Sequence, residues 1–227
     1  MLFPELNARV AAVRERIEAA AKRGGHGQKV TIVAVTKTHG PEAVTAARSA
    51  GIGDIGENRV QEALIKMSQV HEPVRWHLIG HLQRNKVKSL DAFTLFHALD
   101  SSRLADAVNR FGEERGKPVD ALVQVNPARE ETKGGFDVTE IAELAESLRG
   151  LPGLRVTGAM TIARLGADET ELRETFRAVR ETSKVLSAAG HPAAELSMGM
   201  SQDFEIAVEE GATMVRLGSI LFGAREQ

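Results

Sequence analysis

The chain has 227 residues, 42% of them hydrophobic, a formal net charge of −2, and neither cysteine nor tyrosine. That length and apolar content support a sizeable core, and the near-neutral balance excludes an electrostatic footprint for nucleic acid or an acidic membrane. The absence of cysteine excludes disulfides, thiolate metal sites and a cysteine nucleophile.

Met1-Leu2-Phe3-Pro4-Glu5-Leu6 leads into a charged amphipathic segment and not into a basic patch followed by an apolar run, so no signal peptide is visible. No apolar stretch reaches membrane-spanning length. A soluble cytoplasmic protein is expected. No Pro/Gly/Ser-rich linker or block of like charge divides the chain, which favours a single domain over the whole of residues 1–227.

Leu6, Val10, Val13, Ile17 and Ala20/Ala21 recur at helical spacing and predict an amphipathic N-terminal helix over about residues 4–22. Gly24-Gly25-His26-Gly27 breaks it. The β-branched run Val30 to Lys37 then predicts a first strand, followed by candidate strands Asp54 to Asn58, Trp76 to His81, Leu95 to Asp100, Ala121 to Asn126, Val156 to Ile162, Glu195 to Gly199 and Val215 to Gly223. Between them lie helical patterns at Pro41 to Ala50, Val60 to Ser68, Asn85 to Ser89, Ser102 to Arg115, Val138 to Leu148, Glu169 to Ala189 and Gln202 to Glu210.

Eight strands answered by helices imply parallel pairing through crossovers, and eight such units close into a (β/α)8 barrel. The alternative, a doubly wound open sheet, carries a Gly-x-Gly-x-x-Gly turn after its first strand, where this chain has Thr36-Lys37-Thr38-His39-Gly40. The glycines of Gly51-Ile52-Gly53-Asp54-Ile55-Gly56 end a helix and enter a strand, so they read as a cap and turn.

In a barrel, the residues at strand C-termini meet one another. Lys37 stands there after the first strand, and an amine in partly apolar surroundings forms Schiff bases with sugar carbonyls or with pyridoxal phosphate. Glu57 and Asn58, Gly80 and His81, Asp100, Asn126, Thr161, Gly199 to Ser201, and Arg216 to Ser219 occupy the corresponding ends of the later strands. Ser201 is placed to cap the helix at Gln202, with Gly218 and Ser219 approaching from the next strand. That arrangement suits a phosphate, or equally an ordinary N-cap and tight turn. His77 and His81 have a spacing compatible with metal ligation but lack a third ligand, so no metal is expected. His39 is a candidate neighbour of Lys37. Asp203 and Glu205 read as first-turn carboxylates, Glu130-Glu131 and Glu209-Glu210 as solvated faces, and Trp76 as packed at a strand edge.

Several segments together carry a family resemblance: Val33-Ala34-Val35-Thr36-Lys37, Gly56-Glu57-Asn58-Arg59-Val60-Gln61-Glu62, and Trp76-His77-Leu78-Ile79-Gly80-His81-Leu82-Gln83-Arg84-Asn85-Lys86. Gly158-Ala159-Met160-Thr161, Leu196 to Phe204 and Met214 to Gly223 complete the set. In this order, over nearly the whole chain, they resemble the pyridoxal phosphate homeostasis proteins. Gln202 and Phe204 depart from the smaller or aliphatic residues usual there, and the Ala159–Arg164 segment lacks an expected proline.

The resemblance implies a barrel like the N-terminal domain of alanine racemase (fold type III of the pyridoxal phosphate proteins) with an extra N-terminal helix. It implies pyridoxal phosphate held as a Schiff base on Lys37, with Ser201, Gly218 and Ser219 on the phosphate. Arg216 would lie near the phosphate or the pyridine nitrogen, Asn58 beside the ring and Met200 at its rim. It further implies buffering of the cofactor or its delivery to pyridoxal phosphate-dependent apo-enzymes, without catalytic turnover, by a monomer or weak homodimer. The rival enzyme is a racemase or decarboxylase of the same barrel, whose racemase form resembles this chain but adds a β-domain and a tyrosine base. This sequence has no tyrosine and stops after the last strand. A cofactor-free aldolase of class I type is a third reading, set against the lysine's place on the first strand.

Overall fold

A computed structural model describes residues 3–128 and 134–223. Eight parallel strands close into a barrel in sequence order: β1 (Thr31–Val35), β2 (Asp54–Glu57), β3 (Arg75–Leu78), β4 (Leu95–Leu99), β5 (Val119–Gln124), β6 (Leu154–Met160), β7 (Glu195–Ser197) and β8 (Met214–Leu217). Closure comes from β1 pairing with β8, Thr31 opposite Met214 and Ala34 opposite Leu217.

The helices are α1 (Leu6–Gly24), α2 (Pro41–Ser49), α3 (Val60–Met67), α4 (Ser102–Glu114), α5 (Ile141–Leu148), α6 (Glu169–Ala188), α7 (Phe204–Glu209) and α8 (Ser219–Phe222). Their starts follow local chemistry. Pro41 begins α2, where its fixed φ suits a first turn and its missing N–H costs nothing. Asp168 caps α6 by accepting the Glu171 N–H at 2.9 Å. Gly25, at φ +69°, ends α1 in the left-handed region that glycine enters freely.

The expected (β/α)8 barrel with an added N-terminal helix is therefore the architecture, with local corrections. The eighth strand stops at Leu217; Gly218 turns the chain, and Ser219–Phe222 is a short helix and not strand. Between β3 and β4 the connection is a 3-10 helix, Arg84–Ala92, longer and tighter than the expected α-turn. Each strand also ends one or more residues before the sequence pattern does, which leaves Lys37 two residues past the last ladder residue of β1.

The apolar stripe of α1 (Leu6, Val10, Val13, Ile17, Ala20) is buried, and α1 packs on α7 and α8. Ion pairs from Arg16 to Glu205 and from Arg23 to Glu209 fasten it. Glu209 and Glu210 are thus not the solvated face the sequence suggests. Glu210 is buried beneath Arg173, Arg177 and Arg180. Burial alone would raise the Glu210 pKa, and hydrogen bonds from Arg177 and Arg173 more than offset it, holding the carboxyl below its ordinary range. Glu130-Glu131 lie outside the described residues.

Barrel interiors are usually filled by layers of branched aliphatic side chains. Here the middle is polar instead: Asp54, His77, His97, Ser197 and Arg216 are all buried and hydrogen-bonded to one another in turn.

Candidate functional site

The C-terminal mouth of the barrel opens into a cavity of about 570 Å³, within the range of small-molecule sites. Lys37, Asn58, Met200, Ser201, Arg216, Gly218 and Ser219 all line it. The residues selected from sequence are therefore brought together by β1, β2, β7 and β8.

Lys37 enters from the β1–α2 turn. Its predecessor Thr36 is fully buried and held from three sides: its N–H donates to Gly56 O, its hydroxyl donates to Glu57 Oε1, and its carbonyl accepts Lys66 Nζ at 2.6 Å. Lys66 also donates to Glu57 Oε1 at 2.6 Å. Directly after Lys37, Thr38 takes φ +71°, a left-handed conformation that costs a non-glycine residue about 1–2 kcal/mol. Lys37 is thus the outward end of a sharp turn bolted to the barrel wall. His39 lines the same cavity and packs against the rings of Phe3 and Phe222, at 5.6 and 5.2 Å between centroids.

Ser201 does not cap α7. The helix begins at Phe204 after Asp203, and Ser201 Oγ instead accepts the Ile220 N–H at 3.3 Å, tying the β7 loop to the start of α8. The reason is Asp203, whose carboxylate accepts the Met200 N–H at 2.5 Å and closes a turn that starts the helix two residues later than the sequence suggests. Among the described residues, no acceptor takes the N–H groups of Ser201, Gln202 or Ser219, all of which border the cavity. Gly218 lines the same wall, where a Cβ would make an ordinary contact with Val35 O at 3.4 Å.

Arg216 is buried at the cavity floor, where its guanidinium donates to Ser197 O at 2.7 Å, Ser197 Oγ at 2.5 Å and Thr161 O at 2.7 Å. Burial lowers its pKa to about 10, partly offset by Asp203, so it is cationic at neutral pH. Asp203 faces the same cavity; burial raises its carboxyl above the ordinary range, against the opposing pull of the Met200 N–H and Arg216.

Several lining residues were not singled out from sequence. The loop after β6, residues 162–167, forms one wall, anchored by the Arg164–Glu171 pair at 2.7 Å, and Ile79 and Leu172 add apolar surface. An aperiodic loop gives no sequence signal for such a role. His77 and His81 do not share a site: His77 is buried in the barrel beside Asp54 and His97, whereas His81 is exposed at the mouth, 2.7 Å from Asp100. Among the described residues no group of three His, Asp or Glu side chains is arranged to hold a metal ion. No helix among them is long and apolar enough to cross a membrane.

The alanine racemase N-terminal domain family matches residues 9–226. The pyridoxal phosphate homeostasis protein of Aquifex aeolicus is 40% identical over 222 residues, covering 96% of this chain and 97% of the relative. That of Escherichia coli K12 is 36% identical over 226 residues, covering 96% and 95%. The solved structure of PipY from Synechococcus elongatus with pyridoxal phosphate bound superposes with a TM-score of 0.85 at 33% identity, covering 96% of this chain and all of that one. The chain belongs to the pyridoxal phosphate homeostasis proteins, within the alanine racemase N-terminal domain family.

Proposed function

We propose that this protein binds pyridoxal 5′-phosphate at the barrel mouth, holds it covalently on Lys37, and serves to buffer or deliver it. The observation that carries this reading is the convergence in one cavity of a lysine on a firmly held turn, a wall of unpaired N–H groups and a guanidinium with donors to spare. This donor set fits the cofactor. An amine suits its aldehyde, N–H groups and a hydroxyl suit its phosphate, and a cation suits its ring acceptor.

Each residue's part follows from its place. Lys37 supplies a nitrogen that forms a C=N bond with the aldehyde carbon as water leaves; hydrolysis reverses the step and returns the amine. The N–H groups of Ser201, Gln202 and Ser219, with the Ser201 hydroxyl, receive the phosphate, and Gly218 lets it approach the backbone. Asn58 and Met200 flank the ring. Arg216, buried on the cavity floor beneath the Gly218–Ser219 wall, would hold the pyridine nitrogen.

The bound cofactor supplies an electron sink for reactions of amino acids, and its strength depends on the protonation of that nitrogen. Arg216, a donor that keeps its proton, leaves the nitrogen unprotonated and the sink weak. The chain also has no tyrosine to act as a second base. Both features favour holding the cofactor over converting amino acids with it.

Purified protein loaded with pyridoxal phosphate should show an absorbance band at the violet edge of the visible that borohydride bleaches. Lys37→Ala should abolish it with the fold intact. Racemisation or decarboxylation of an amino acid that is lost with Lys37 would instead establish an enzyme. Mixing loaded protein with an apo-enzyme separates the two carrier roles, since activation faster than by free cofactor means delivery and equal rates mean buffering.

A further inference from the structure

We infer that Asp54, His77, His97, Ser197 and Arg216 form one hydrogen-bonded column with a single direction, and that Ser197, His97 and His77 are positioning residues that aim Arg216 at the pocket. The inference rests on the reading that the pocket takes pyridoxal phosphate with its ring beside Arg216.

The direction follows from counting protons. A guanidinium only donates, so Ser197 Oγ must accept from Arg216 at 2.5 Å. The hydroxyl then has one proton left, and His97 Nδ1 at 2.9 Å is the acceptor in reach. A neutral His97 therefore carries its own proton on Nε2, which faces His77 Nδ1 at 2.9 Å. His77 Nδ1 accepts, so its proton sits on Nε2 and donates to Asp54 Oδ1 at 3.0 Å. Asp54 is fixed as the anion at the far end by a two-pronged contact from Arg75, at 2.7 and 2.6 Å.

The opposite direction fails at both ends. It would leave the Ser197 proton without an acceptor and set a bare imidazole nitrogen against a carboxylate. A doubly protonated histidine would also reverse the order, but it would add a charge in the barrel centre. Burial first, and then the nearby Arg216 cation, holds His97 well below its ordinary pKa and so keeps it neutral.

The consequence falls on Arg216. Of its five N–H groups, three are taken by Ser197 O, Ser197 Oγ and Thr161 O, which leaves two for a ligand. The guanidinium is gripped from behind by a chain whose every link is oriented by a fixed charge, so its free edge is set before any ligand arrives. The five members come from β2, β3, β4, β7 and β8, so the column ties the barrel floor to the cofactor site.

Two arms test this. In the first, 15N-edited imidazole spectra of the ligand-free protein should show His77 and His97 neutral and protonated at Nε2; an Nδ1–H tautomer or a doubly protonated ring at neutral pH overturns the column. In the second, Ser197→Ala and His97→Leu should weaken pyridoxal phosphate binding about tenfold and shift its absorbance band. They should leave the affinity for inorganic phosphate unchanged. His97→Gln, whose amide can accept from Ser197 and donate to His77, should restore binding. Wild-type affinity and an unshifted band in both Ser197→Ala and His97→Leu, with circular dichroism confirming folded protein, overturns the positioning role. Failure of the wild type itself to take up pyridoxal phosphate would strike the reading of the pocket, and the first arm would still decide the column.

Discussion

Behind Lys37 lies a buried ion pair whose removal should register clearly. Glu57 is fully buried and Lys66 nearly so; Lys66 Nζ sits 2.6 Å from Glu57 Oε1 and 2.6 Å from the Thr36 carbonyl. Lys66→Met strands a carboxylate in the wall between barrel and α3 with only the Thr36 hydroxyl as donor, and breaking a buried pair this way costs about 3–5 kcal/mol. For a chain of this length, roughly 2–4 °C of melting temperature accompanies each kcal/mol, so the variant should melt about 6–20 °C lower. The double variant Glu57→Leu/Lys66→Met removes both charges. Glu57 Oε2 already lacks a hydrogen-bond partner among the described residues, so the native pair is imperfectly compensated. Its joint replacement should cost little beyond the two lost Thr36 bonds, one from its hydroxyl and one to its carbonyl, about 1–3 kcal/mol. Urea unfolding followed by circular dichroism gives all three free energies. A loss below about 1 kcal/mol for Lys66→Met, or a double variant that loses as much as Lys66→Met alone, would refute the reasoning.

Gly80→Ala should disrupt the site from beneath, because a Cβ there would stand 2.3 Å from the backbone oxygen of Asn58; thermal unfolding should show a loss of about 1–3 kcal/mol together with weaker cofactor uptake. Ser201→Ala removes a neutral donor to a charged group, worth about 1.5–3 kcal/mol, so pyridoxal phosphate should bind roughly 10- to 100-fold more weakly by titration while unphosphorylated pyridoxal is unaffected. Glu210, depressed in the folded state, adds stability that is present above its unfolded pKa of 4.5 and lost as pH falls through the lower folded value. The melting-temperature gap between wild type and Glu210→Gln should therefore be widest near neutrality and close below pH 4.5, and a gap independent of pH would contradict the pairing of buried Glu210 with its arginines.

The barrel was legible because its β-branched runs are short, regularly spaced and separated by amphipathic helices, and because Lys37 ends the first of them. The seven pocket residues stood among a longer set of strand C-termini, which must converge once the sheet closes, and the family resemblance picked them out of that set. Three features resisted. Ile220-Leu221-Phe222 is apolar enough to extend a strand, and only the turn at Gly218 and the hydrogen bonds from Leu221 and Phe222 to its carbonyl make it a helix. The capping role expected of Ser201 was displaced by Asp203, a competition between neighbours that spacing cannot resolve. The polar column joins side chains up to 162 positions apart, from Asp54 to Arg216, and each taken singly reads as a lone polar residue in an apolar strand. Glu210 was misread because its three arginine partners lie a helix away on α6.

Covalent capture of the cofactor turns on the Lys37 nitrogen. Saturating the protein with pyridoxal phosphate, reducing with borohydride and mapping the peptides by mass spectrometry should place the phosphopyridoxyl group on the peptide that carries Thr36-Lys37-Thr38. An unmodified Lys37 in saturated material, or the group on another lysine, would contradict it.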